Sequence, residues 1–568
     1  MLQRPWHQAA LLAGITLLVF SPTLSAGFVY DARLQILTDT FLHDPRNWWP
    51  VLSFGVLSMD VLDFNRPVHL ASLMIDAAVW GKDPFGYHLT SVALHAVNVV
   101  MVWGVLVKMT APANKSPHAQ AGGYCGVHCE APRIIPRLAP RGLDEGDCLN
   151  KSPQAQAGGS AEETTLSPGF RSGLPVLLPP LLFAVHPLVT EAVCEPTFRE
   201  DLLVTFFTLT GLLLAMGHAP RARDGWRAAA CMGCCLLAIA SKESGIAAPA
   251  VIGLYWLLFR RGEPGWFWPV AMGGAKLVVV TFLAARFLLE PSPSRIFEAR
   301  PDYPGGSFWA ALAIEPRILA LYAQLVLLPV NLCADYGLYS VRHLPLPVAL
   351  ALVAGLVVAA VLAIRADRRM ALAVALVVVP LLPVSNLVPI YRAAADRYLY
   401  LPLAGVALGI GLLLDGPWLT ARPWLRQRAV MAGLAAAVLL GLGTTDRQLV
   451  WSSPLALWED TFRKNPVAFT AASGLGEALR EAGRLPEAER ATREAIRLSD
   501  GKRGDPWATL ALILDAQGRT AEADEALDKA LEVDPKLADP AARVAILAME
   551  RSHADELLQL QERRAARR

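Results

Sequence analysis

Residues 8–31 read QAALLAGITLLVFSPTLSAGFVYD. Positions 8–26 are almost wholly apolar and long enough to span a bilayer, which takes about 20 such residues. Asp31 therefore stands where a membrane helix emerges at the interface. The loop that follows carries Asp39, Asp44, Asp60 and Asp63 and closes on Phe64-Asn65-Arg66-Pro67. An acid at a helix end can simply be solvated. Here, however, further polar clusters punctuate later apolar segments: His186 to Glu191, Arg199-Glu200-Asp201, Lys242-Glu243 and Asp396-Arg397. Ionisable groups near membrane depth are costly and tend to be functional.

The composition agrees with a membrane protein. Of 568 residues, 54% are hydrophobic and only 18% charged, against about a quarter charged in soluble domains. Mean hydropathy is +0.38. The net charge of +2 points to no partner, and no nucleic acid is expected. Charge is scarce in the middle and dense over 446–568, which sets a domain boundary near 446. The first segment lacks a strongly basic start and precedes many further apolar runs, so it reads as a signal anchor rather than a cleaved signal. The eight cysteines form no metal-binding pattern. Cys231, Cys234 and Cys235 sit in an apolar helix, where thiols act as small hydrophobes. No metal site or certain cofactor is assigned, and a divalent metal is left open.

Eleven spanning helices are predicted, near 8–26, 86–108, 174–193, 202–217, 227–241, 245–259, 266–288, 345–364, 370–390, 399–415 and 428–444. Basic clusters at Arg221–Arg227, Arg260-Arg261, Arg365–Arg369 and Arg422–Arg428 fall on one side if 312–333 lies on the outer face without crossing. That topology puts the N-terminus in the cytoplasm. It brings Asp31, Arg199–Asp201, Lys242-Glu243, Asp335 and Asp396-Arg397 to the outer ends of helices, with 446–568 on the same side. Residues 67–80, preceded by Asn47-Trp48-Trp49-Pro50, read as interfacial helices within a first outer loop, 27–84. The stretch 110–172 is rich in Gly, Pro, Ser and Ala and repeats a decapeptide at Asn114 and Asn150. It is predicted to be a disordered cytoplasmic insert.

Two units about 35 residues apart follow, 469–502 and 504–537. Gly483 matches Gly518, Ala488 matches Ala523 and Ala495 matches Ala530. Trp507, Leu510, Leu514, Leu527 and Pro535 complete a tetratricopeptide pattern in the second unit. A helical cap is expected over 539–566, since terminal repeats need a polar outer face. Such an array implies a protein partner bound by the repeats. The predicted fold is all-α, a polytopic bundle over 1–445 followed by a short helical solenoid.

One face of this bundle would offer Arg66, Arg199, Lys242, Arg392 and Arg397 around Asp31. Several cations at an interface suit a lipid-linked phosphate, and a carboxylate beside them suits a general base for an incoming hydroxyl. His186 and Glu191 flank Pro187, which would kink the helix there.

The segments resemble the transmembrane and tetratricopeptide-repeat-containing proteins, O-mannosyltransferase-like members of the GT-C glycosyltransferase superfamily. The resemblance is carried by Phe28-Val-Tyr-Asp31, Asn65-Arg-Pro67, Asp83-Pro-Phe-Gly-Tyr-His88 with His95, Phe183-Ala-Val-His-Pro187 with Thr190-Glu-Ala192, Arg199-Glu-Asp201, Ser241-Lys-Glu243, Ser385-Asn386 and Arg397-Tyr-Leu-Tyr-Leu-Pro402. These cover most of 20–410 in the family's order. The resemblance implies a polyprenyl-phosphate sugar donor, a mannose-like sugar, and a protein or glycan hydroxyl as acceptor. It implies a catalytic acid in the first outer loop, which by position is Asp31. The family usually has a second acid directly after it, where this chain has Ala32. Arg66, His88, His186, Glu191, Arg199, Asp201, Lys242, Glu243, Asp335, Arg392, Asp396 and Arg397 are the candidate donor- and substrate-contacting residues. The expected location is a bacterial inner membrane or the endoplasmic reticulum, with the site and repeats periplasmic or lumenal. A non-catalytic membrane-anchored scaffold is the competing reading, and Ala32 is the feature that favours it.

Overall fold

The computed structural model describes residues 4–38, 40–59, 61–111, 173–217, 225–261, 303–337, 344–390, 392–538 and 551–567, with isolated positions at 268, 341 and between 273 and 280; side chains in the last helix are described over 555–566. These residues are helical and contain no strand, as the sequence predicts. The expected insert over 110–172 lies outside them except at its first two residues, and so does most of 266–288.

The centre of the membrane half is the 26-residue helix Pro84–Met109. It packs against Pro5–Val19, Leu174–Ala184 and Arg199–Ala215. Three helices are tied to it by buried polar groups, which must find partners where water is absent. One ring nitrogen of His95 meets the Tyr400 hydroxyl at 2.7 Å and the other the Ala184 carbonyl at 3.1 Å. The Asn98 amide donates to the Leu202 carbonyl at 3.0 Å and to the Tyr400 hydroxyl at 3.2 Å.

Among the described residues, five helices are long and apolar enough to cross a bilayer: Pro84–Met109, Phe308–Leu327, Leu346–Ala366, Asp396–Asp415 and Pro423–Val450. Two bent pairs raise this to seven if each is one crossing, Pro5–Val19 with Ser21–Thr38 and Leu174–Ala184 with Pro187–Cys194. This differs from the eleven spans read from apolar runs, because a run is not an unbroken helix. Arg199–Ala215 and Gly225–Ser241 have 17 residues each, about 25 Å of helix against a core of about 30 Å. The run at 245–259 is a short helix, Ala247–Tyr255, ending in a wide turn. The run at 370–390 leaves α-helix at Val378, before Pro380. Conversely, Phe308–Leu327 meets the length for a crossing, where a helix on the outer face was expected. Its charges are accommodated, since Glu315 accepts from the Asn386 amide at 3.2 Å and Arg317 donates to the Leu344 carbonyl at 2.9 Å. The break expected at Pro187 is present, with a bend of 44°.

The helix Pro423–Val450 runs straight through residue 446 and is followed by Pro454–Lys464. Two helical hairpins come next, Phe469–Glu481 with Leu485–Leu498 and Gly504–Ala516 with Thr520–Val533. Their turns pass through Gly483 at φ +72° and Gly518 at φ +77°, a left-handed conformation that favours glycine. Ala488, Ala495, Ala523 and Ala530 are wholly buried between paired helices. A Cβ on Gly476 would lie 2.3 Å from the Thr492 hydroxyl, so only glycine permits that approach. The final helix, Arg551–Arg567, packs on Gly504–Ala516 and buries Leu557 and Leu560.

The hairpins are anchored to the loop that carries Asp31. Arg33 makes a two-pronged ion pair with Glu481 at 2.8 and 2.9 Å. Ahead of the hairpins, the Gly27 backbone amide donates to the Ser452 carbonyl at 3.2 Å, and the Asn465 side-chain amide donates to the Asp335 carbonyl at 2.8 Å.

Candidate active site

Asp31 sits in a turn whose backbone is held on both sides. Tyr30 before it has φ +49°, a conformation that costs a non-glycine residue roughly 1–3 kcal/mol and persists only when its surroundings enforce it. The enforcement is visible. The Tyr30 ring stacks on Trp458 at 5.4 Å and meets Phe198 edge-on at 5.6 Å, and its hydroxyl is hydrogen-bonded by Arg392. On the other side Ala32 is fully buried, and its amide donates to Glu195 Oε1 at 3.1 Å.

The Asp31 side chain is left open. The residue is exposed to solvent, and among the described residues its carboxylate has no hydrogen-bond or ion-pair partner. Protein nevertheless surrounds the turn. Crowding by that protein thins the hydration of the Asp31 carboxyl and pushes it up to about 6, with Asp63 and Glu200 adding to the rise while Arg397 and Arg392 oppose it. The result is an accessible, unpaired carboxylate near neutrality, which is what a general base requires.

The expected cations are not free in the same way. Arg199 is wholly buried. It pairs with Asp76 at 2.6 Å and donates to the Ser91 hydroxyl at 3.1 Å, the Tyr87 carbonyl at 2.8 Å and the Ser72 carbonyl at 3.3 Å. Four contacts on a wholly buried guanidinium are the pattern of a brace between helices. Asp76 was visible in the sequence as the lone acid in an apolar run; its partner was not.

Lys242 lies between Glu200 at 2.9 Å and Asp201 at 2.7 Å. Arg66 reaches Asp63 at 2.7 Å, Glu200 at 2.6 Å and Glu243 at 3.4 Å. Glu243 also accepts from Asn65. Arg392 pairs with Asp335. Asp396 is buried and accepts from the Tyr336 hydroxyl. Arg397 pairs with Glu191, which also accepts the Arg397 backbone N–H at 2.9 Å, and its guanidinium lies 4.0 Å from the Phe198 ring centre. The Nε–H of Arg397 is buried without an acceptor. His88 is buried beside Phe28. His186 pairs through Nε2 with the Val326 carbonyl at 3.0 Å while Nδ1 accepts from the Leu188 amide. Both histidines are thus buried, and both ring nitrogens of His88 lack a hydrogen-bond partner among the described residues.

A small cleft of about 20 Å³ opens beside this belt. Asp201, Ser244, Arg397 and Tyr398 supply its polar wall, and Val204, Pro380, Val384, Leu401 and Pro402 its apolar wall. Among the described residues, no group of three His, Cys, Asp or Glu side chains is arranged to hold a metal ion.

Comparison with known proteins agrees with the motifs. The chain is similar to protein O-mannosyl-transferases. It is 26% identical to protein O-mannosyl-transferase F38B6.6 of Caenorhabditis elegans over 329 residues, 56% of this chain and 45% of that protein. It is 24% identical to protein O-mannosyl-transferase Tmtc3 of Drosophila melanogaster over 499 residues, 76% of this chain and 48% of that one. A shorter match, 30% identical over 146 residues, is to protein O-mannosyl-transferase Tmtc1 of the same fly. The chain thus spans about half the length of the first two relatives or less. No family model and no solved structure matches it.

Sequence reasoning missed Glu195, Tyr30 and Tyr336. Glu195 carried a faint signal, an acid before Pro196 in an otherwise apolar junction between helices. Tyr30 carried none, because its left-handed backbone is set by contacts from residues over 100 positions away.

Proposed function

We propose that the protein is a membrane glycosyltransferase that moves a mannose-like sugar from a polyprenyl phosphate to a hydroxyl of a protein or glycan. The observation that carries this is Asp31: an exposed carboxylate, unpaired among the described residues, on a backbone pinned at both neighbours. In the reaction, the Asp31 carboxylate takes the proton of the acceptor hydroxyl as its oxygen bonds to the anomeric carbon. The bond from that carbon to the phosphate oxygen breaks with its electron pair, inverting the centre and releasing the polyprenyl phosphate. Arg397 is the cation that lines the cleft and would meet the departing phosphate.

On this reading the Asp31 end of the bundle and the 446–568 region face the periplasm or lumen. The two hairpins would act as a tetratricopeptide module that binds a protein partner. Incubation of the purified protein with undecaprenyl-phosphate mannose and candidate acceptor proteins, followed by intact-mass analysis, tests the proposal. The expected result is a mass increase of one hexose per modified site. Absence of transfer from any polyprenyl-phosphate sugar, together with capture of a defined partner by the hairpins, would favour the scaffold reading instead.

A further inference from the structure

Glu195 lies in the turn between Thr190–Cys194 and the helix that begins at Arg199. It is completely buried. Its Oε1 accepts three hydrogen bonds, from the Ala32 amide at 3.1 Å, the Thr197 amide at 3.3 Å and the Thr197 hydroxyl at 2.6 Å. Its Oε2 is buried with no partner, and no basic side chain is paired with it among the described residues. Nearly every other buried acid at this end of the bundle has a cation: Glu191, Glu200, Asp201 and Asp76 all do. A helix brace would be expected to follow that pattern. Glu195 instead directs its one satisfied oxygen at the residue next to Asp31.

We propose that Glu195 is a positioning residue for the transfer reaction, holding the Ala32 amide so that the Asp31 carboxylate is aimed at the acceptor hydroxyl. The inference rests on the reading of Asp31 as the base. Two features make the geometry work. The Ala32 side chain is packed into the apolar cluster of the first loop with Phe28, Ile36 and Phe64, so the turn cannot slide. The amide contact then fixes its rotation, with Tyr30 locked from the other side by Trp458 and Arg392. Burial without a cation, together with the nearby negative charge of Asp31, holds the Glu195 carboxyl well above the usual carboxylate range. A protonated Oε2 explains how the group survives there. A neutral acid also leaves the Asp31 base undiluted by a second charge.

The test compares Glu195→Leu with Glu195→Gln in the full-length protein in lipid vesicles. Glutamine keeps the neutral shape and the accepting oxygen, whereas leucine keeps the volume and removes the acceptor. Glu195→Leu should lower kcat about 10–100-fold with the donor KM unchanged, since a misplaced catalytic group costs turnover rather than binding. Glu195→Gln should restore kcat to within about threefold of the parent. A readout independent of activity is hydrogen exchange over 28–36, where the Ala32 amide should exchange about tenfold faster in Glu195→Leu and at the parental rate in Glu195→Gln. Parental kcat in Glu195→Leu, or unchanged exchange at Ala32, would overturn the proposal. Loss of kcat in both variants alike would also overturn it, because a required charge would then replace positioning. Asp31→Asn run alongside separates the two claims: an active Asp31→Asn protein removes the base, while an inactive one beside a fully active Glu195→Leu removes only Glu195.

Discussion

Asp31 and Arg199 are charged residues near helix ends on the same side of the bundle, and each was read from the sequence as part of one site. Their surroundings are opposite. Arg199 is dry and engaged by one carboxylate, one hydroxyl and two carbonyls. Asp31 is exposed and, among the described residues, its carboxylate has no partner, on a backbone that neighbours hold tightly. A charge surrounded by partners holds helices together; a charge held in place but left unpaired is available for chemistry. The same contrast sorts the remaining residues. Lys242 and Arg66 are paired members of the belt, and Arg397 stands between the classes, paired with Glu191 yet part of the cleft lining.

The sharpest way to break the contrast is Arg199→Met. Removing one partner of a buried ion pair costs roughly 3–5 kcal/mol. The variant should unfold at markedly lower temperature in detergent, or fail to yield monodisperse protein. The double variant Arg199→Met with Asp76→Leu should recover part of that loss, because no charge is stranded. A stable Arg199→Met protein with weakened donor binding would instead place Arg199 at the phosphate.

Acid should silence Asp31. With its carboxyl at about 6, transfer should fall close to tenfold per pH unit below that value. The sign for stability is opposite. The folded-state value lies above the ordinary value of about 3.9, so the folded protein takes up this proton first as pH falls. Protonation of Asp31 thus favours the fold between about 6 and 4 while it silences the base. A rate that is flat from pH 7 to 5 would detach Asp31 from the rate-determining step.

Arg397→Lys keeps the charge and removes the fork. It should raise the donor KM about tenfold with a smaller change in kcat, as expected where a planar donor set is replaced by a point charge. Glu481→Ala is the mildest change. It removes a partly exposed pair worth about 0.5–1 kcal/mol and should shift the unfolding temperature by only a few degrees. A large loss of transfer in Glu481→Ala would show that the hairpins position the Asp31 loop.

Much of this was legible in the sequence. Apolar runs and repeat spacing predict an all-α chain, a kink at Pro187 and turns at Gly483 and Gly518. Motif order predicts Asp31. Helix lengths were less legible, because Pro380 and the wide turn after Tyr255 break runs that hydropathy treats as continuous. The state of each cation was not legible at all. Whether Arg199 meets Asp76 or a ligand depends on contacts across more than 100 residues, and charge type alone is the same in both cases. Glu195 escaped notice for the same reason, since its role is defined by the Ala32 amide 163 positions away.

The most direct measurement is transfer from undecaprenyl-phosphate mannose by Asp31→Asn beside the parent protein, with thermal unfolding recorded on the same samples. Asparagine keeps size and polarity but cannot take a proton. The expected result is a rate lower by about 10²–10⁴ with an unfolding temperature at or slightly above that of the parent. Transfer at the parental rate by Asp31→Asn would contradict the assignment of Asp31 as the base.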